Sequence, residues 1–139
     1  MGTKIAARIA ALAICATLVL PSPAQAAPGQ PAPSIAVQLA VVLVAPTTLQ
    51  VTVNAECSPW SAGEAIIDVI VDQALAGTTV ATEGEGIISV PCDNTTHSVT
   101  VLVDGGPFMF GDANAFAQII AGSSPAAMAS DARKVVIGP

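Results

Sequence analysis

Few groups in this chain can do chemistry, and their spacing limits what they do. His97 is the only histidine, placed between Asp93 and Asp104. An imidazole beside a carboxylate is the minimal general-base pair. A histidine that opens a strand and hydrogen-bonds the preceding turn explains the same spacing. No serine lies in the strained elbow that a nucleophile-histidine-acid set requires, so the chain reads as non-enzymatic. Glu83 and Glu85 alternate with Gly84 and Gly86, which reads as a hairpin turn. Asp104, Asp112 and Asn114 surround a later loop, without the ordered ligand spacing of a calcium loop that ends in glutamate. No metal and no cofactor is therefore assigned. Asn94-Thr95-Thr96 fits a glycosylation acceptor, and turn chemistry explains it fully.

Cysteine is the other reactive side chain. Cys15 lies in an apolar run, Ile9 to Leu20, that follows Lys4 and Arg8 and is broken by Pro21 and Pro23. Ala24-Gln25-Ala26 then offers small residues where a signal peptidase cuts, so residues 1–26 read as a secretory signal peptide. The run is shorter than the about 20 residues of a membrane-spanning helix. Ile14 stands where a lipoprotein signal needs a small residue, so Cys15 is expected to leave with the leader. Cys57 and Cys92 remain, in an oxidising compartment where an even count implies a bond. A zinc site would need two further ligands, and one histidine does not complete it. Closing a loop of about 35 residues is worth at most about 3.5–4 kcal/mol of chain entropy.

Cleavage leaves 113 of the 139 residues, with Arg133 and Lys134 as the only bases against ten acids, a net charge of −8. Such a polyanion repels nucleic acid and anionic lipid surfaces. The expected partner is a protein or a small ligand, met outside the cell, with no nucleic acid and no membrane after cleavage.

The elements that must position these groups are strands. Residues 27–34 form a proline-rich extended linker ahead of a domain over 35–139. Ile35 to Val44 reads as a strand ending at Pro46, with both faces partly covered. In Thr47 to Cys57, Leu49, Val51, Val53, Ala55 and Cys57 alternate with polar residues, so Cys57 points into the core. Glu64 to Leu75 fits a helix by the spacing of Ile66, Ile70 and Ala74, but its β-branched density favours a strand. Thr78 to Thr82 reads as a short edge strand. Ile88, Val90 and Cys92 face inward next, and Asn94 suits a positive-φ turn. Val99, Val101 and Val103 share one face of the following strand. Ala113 to Ala121 resumes β character, Gly122 to Asp131 reads as a small-residue loop, and Arg133 to Ile137 is a last strand. Seven to eight short strands with turn punctuation and no convincing helix predict an all-β antiparallel sandwich carrying one disulfide across its core, between opposing sheets.

The segment Val-Pro-Cys-Asp-Asn-Thr-Thr-His-Ser-Val-Thr-Val (residues 90–101), preceded by the alternating strand that ends at Cys57, resembles a group of small secreted bacterial proteins of unknown function. That group has an immunoglobulin-like fold, one disulfide, a Cys-Asp-Gly-x-x-His turn and a late Phe-x-x-Gly-x-Ala segment. Phe108, Gly111 and Ala113 match the late segment, and Asn94 replaces the usual turn glycine. The resemblance implies an immunoglobulin-like β-sandwich and secretion, and no activity. A looser similarity is to secreted chromophore-carrying apoproteins of sandwich fold, whose second disulfide this chain lacks.

The remaining candidates are apolar. Trp60, beside the first cysteine, is expected to pack over the disulfide. Phe108, Met109 and Phe110 stand between Gly106-Pro107 and Gly111, either as a plug for the end of the fold or as a contact patch. Pro107 places Phe108 nearer the outer bend, so Phe110 is expected buried and Phe108 partly exposed. Together, Trp60 and Phe108 to Phe110 suit a secreted binding or interaction module. The alternative is a carrier holding a small apolar ligand in a cleft at the end of the sandwich.

Overall fold

The computed structural model describes residues 31–59, 63–75, 77, 79, 81–122 and 126–139. The signal peptide, the first part of the linker (residues 27–30) and Trp60 lie outside them. Eight strands follow in order: β1 (Ser34–Val37), β2 (Ala40–Ala45), β3 (Thr48–Glu56), β4 (Glu64–Ala74), β5 (Ala81–Pro91), β6 (His97–Gly105), β7 (Gly111–Ala121) and β8 (Ala127–Gly138).

β3 realises the period-two pattern. Leu49, Val51, Val53 and Ala55 are buried, while Thr48, Gln50, Thr52, Asn54 and Glu56 line the wetter face. The segment with helical spacing is the strand β4, hydrogen-bonded along its length to β5 on one side and to β7 on the other. Its inward Ala65, Ile67, Val69 and Val71 are buried, and Ile66 of the helical stripe points outward and is exposed. Ladders on both edges from Ala65 to Asp72 pair the main chain of this β-branched segment, which a lone amphipathic helix here would not improve.

The expected immunoglobulin-like sandwich is not what forms. The sheet runs β1-β3-β2-β8-β7-β4-β5-β6 and then returns, because β6 also pairs with β3. β1 and β2 share one edge of β3, so the ring is a closed seven-stranded barrel. Two short seams close it. Ala40–Val42 of β2 pairs in parallel with Val136–Gly138 of β8. Gly84 and Glu85 of β5 meet Gly105 and Asp104 of β6.

The second seam explains the glycines. Gly84 and Gly86 stand at inward positions of β5, in mid-strand rather than in the expected turn. A Cβ at Gly86 would lie 2.1 Å from the carbonyl oxygen of Leu102, and one at Gly84 would lie 2.9 Å from that of Asp104. β6 can cross this closely only where β5 has no side chain, a recognised use of glycine at barrel corners.

Other boundaries shift for local reasons. The expected first strand is divided at Gln38 and Leu39: Gln38 N–H still donates to Thr52 of β3 (2.9 Å), while the Leu39 carbonyl accepts from Val136 of β8 (2.9 Å). The chain therefore steps from one neighbour to the other. The small-residue stretch after Gly122 already belongs to β8 from Ala127, since its pairing with β7 runs from Ala127 to Ile137.

Cys57 and Cys92 are bonded, with Cα atoms 4.6 Å apart, inside the range for a disulfide. They sit just past the ends of β3 and β5, on either side of β6. The bond therefore staples strand ends at one end of the barrel rather than spanning two opposed sheets.

Candidate binding site at the barrel rim

The loop between β6 and β7 caps the end of the barrel away from the disulfide, and three neighbours fix its path. Gly105 N–H donates to Thr47 (3.0 Å), Gly106 N–H to Glu83 (3.1 Å) and Phe108 N–H to Pro46 (2.8 Å). The bond to Pro46 draws Phe108 over the barrel mouth. Its ring occupies the space that Gly84 leaves empty, with Cζ 2.7 Å from where a Cβ on Gly84 would stand. Phe108 is 3% exposed and belongs to the core.

Met109 and Phe110 then turn outward, 60% and 63% exposed. The expected assignment is thus reversed: Phe108 is the plug and Phe110 the exposed ring. Pro107 does stand at the outer bend, but the next residue is drawn inward by its hydrogen bond to Pro46 and by the free volume over Gly84. The triplet supplies plug and patch together.

What holds the exposed pair is Gln73, a residue that sequence reasoning passed over. It lies at an inward position of β4, 3% exposed. Its amide nitrogen donates to the carbonyls of Met109 (2.8 Å) and Asp112 (3.3 Å), and its amide oxygen accepts from Met109 N–H (2.9 Å). A buried amide is stable only with such partners, and here they are all backbone atoms of the capping loop. The only sequence signal was a glutamine on the apolar parity of a strand. Gln73, Ala74, Leu75, Met109, Phe110 and Asp112 border a hollow of about 280 Å³ beside the exposed pair.

The chemically suggestive residues are dispersed. His97 starts β6 at the disulfide end, where its Nε2 is 2.8 Å from Asp93 Oδ1. The same oxygen accepts from Thr95 N–H (3.0 Å), with Asn94 at φ 58° completing the turn. The hydrogen bond to His97, helped by the Thr95 N–H, holds the Asp93 carboxyl below its ordinary value. Asp104 is at the other end of β6, where it accepts from Thr48 Oγ1 (2.8 Å). Asn114 donates to Asp72 (3.2 Å), so Asp104 and Asn114 each serve a different strand neighbour. Glu83 and Glu85 point outward from β5. Arg133 pairs with Asp131 (2.7 Å), whose carboxylate also accepts from Val37 N–H (2.8 Å) and so bridges β8 to β1.

These placements bring Phe108, Met109 and Phe110 together at the rim and His97 and Asp93 together at the disulfide end, and leave Asp104 and Asn114 with other strand neighbours. No family model matches the chain, and no curated protein matches it either.

Proposed function

We propose that this chain is a secreted, non-enzymatic binding module that presents Met109 and Phe110 at the rim of the barrel to its partner. The observation that carries the reading is that their exposure is built. The loop backbone is anchored from below by Phe108 and from the side by the amide nitrogen and oxygen of Gln73. Two large apolar side chains fixed in water by a rigid support cost solvation free energy, and such residues are enriched at interface hot spots. Secretion is supported by the leader-like residues 1–26 and by a formed disulfide, a bond that persists in oxidising compartments. The carrier alternative is less well supported, because Phe108 fills the end where an apolar ligand would lodge.

A photoreactive benzophenone side chain at position 110, compared with the same group at exposed Thr100 on β6, tests the reading in the secreting cells' own medium. A discrete adduct at 110 and none at 100 is expected. Equal labelling at both positions, or none at 110, overturns it.

A further inference from the structure

We infer that the outer face formed by β5, β4, β7 and β8 docks a cationic amphipathic polypeptide segment. This surface includes neither Met109 nor Phe110 and does not depend on the rim reading. Its outward rows follow from the register. Ile66 lies between Ser89 and Ile120, with Met128 beyond; Asp68 lies between Ile87 and Gln118. Ile70 lies between Glu85 and Phe116, and Asp72 between Glu83 and Asn114, with Lys134 beyond.

Two properties coincide on this face. Ile66, Ile87, Phe116, Met128 and Val136 are exposed on it. Interleaved with them are the outward carboxylates of Glu64, Asp68, Asp72, Glu83, Glu85 and Asp112, six of the chain's ten acids. Of the two bases nearby, Arg133 is already paired with Asp131, which leaves Lys134 against six negative charges. By contrast, β3 and β6 carry mainly threonine, serine, asparagine and glutamine outside, with exposed Leu102 the large apolar exception.

The charges are arranged against the fold's own interest. Asp72 is directly opposite Glu83 across the β4–β5 ladder, and like charges so placed destabilise a sheet. One oxygen of Asp68 is shut off from solvent by its neighbours and has no hydrogen-bond partner among the described residues, so its other oxygen is the one that faces a docked segment. A segment that alternates lysine or arginine with apolar side chains would cover the isoleucines and neutralise the carboxylates in one docking event. A second copy of this chain would set carboxylates against carboxylates, so charge complementarity selects the basic partner.

The test uses the disulfide-bonded protein and a labelled amphipathic helix of leucine and lysine, with an oligolysine of equal charge as the second probe. The leucine-lysine peptide should bind, and added salt should weaken it. Oligolysine should bind at least about tenfold more weakly, as should the leucine-lysine peptide to the double variant Ile66→Ser, Ile87→Ser. The rim variant Phe110→Ser should bind like the parent. If the serine pair fails to fold, Asp72→Asn with Glu83→Gln provides the second variant: it should bind more weakly yet melt no lower than the parent. Equal binding of oligolysine, unchanged binding by the folded variants, loss on Phe110→Ser, no binding of the peptide, or dimerisation through this face would each overturn the inference.

Discussion

Replacing Phe108 with alanine removes the ring that closes the barrel mouth. The side chain is buried over Gly84, where no Cβ can take its place. Truncation exposes or empties about 120 Å² of apolar contact, and at about 25 cal/mol per Å² that is about 3 kcal/mol. This is the lower end of the about 3–5 kcal/mol typical of buried phenylalanine truncations, because water can enter a rim site and no sealed void is left. For a domain of about a hundred residues, each kcal/mol moves the melting temperature by about 4–5 °C, so Phe108→Ala should melt about 12–15 °C lower. Phe110→Ala removes an exposed ring and should stay within about 0.5 kcal/mol of the parent. Urea denaturation followed by circular dichroism measures both. A Phe108→Ala variant as stable as the parent, or a larger loss for Phe110→Ala, would refute the plug-and-tip arrangement.

Gly86→Ala places a methyl group 2.1 Å from the Leu102 carbonyl, so β6 must move off β5. A loss of about 2 kcal/mol or more is expected, read from the same urea curves. Gln73→Ala strands the Met109 N–H it bonded and should cost about 1–3 kcal/mol. Its diagnostic signal is faster hydrogen exchange at Met109, with protection in β3 unchanged. The Asp93 carboxyl is held below its ordinary value of 3.8. A carboxyl depressed in the folded state stabilises the fold above its unfolded pKa, and that contribution is lost as pH falls through the lower folded value. Asp93→Asn should therefore flatten the decline in stability below pH 3.8 and leave the rest of the acid profile in place; a superimposable profile would contradict the role of the Asp93–His97 bond.

Local β structure was legible because its cause is local. Alternation in Thr47 to Cys57 specifies which face of β3 is buried, and the small, flexible Asn94 marks a positive-φ turn. The cysteine pair was legible from its even count after the expected leader and from its inward parity. Closure was not, since it depends on three residue pairs between β2 and β8 and two between β5 and β6. Such short seams leave almost no periodicity, and their sequence mark is glycine, which also marks turns. Gly84 and Gly86 read as a hairpin because glycine marks turns, and nothing local to them reports how closely the next strand, β6, crosses β5. The order of the phenylalanines failed for a related reason: a bond from Phe108 to Pro46 is set by tertiary approach, whereas a proline's bend is local. Gln73 was invisible because its partners are backbone atoms, which every residue type supplies.

The most direct test of the central claim is solvent paramagnetic relaxation in the folded, disulfide-bonded protein. A soluble nitroxide should broaden the Met109 methyl and Phe110 ring signals strongly and leave the Phe108 ring, packed over Gly84, sharp. A protected Phe110 together with a broadened Phe108 would contradict the account.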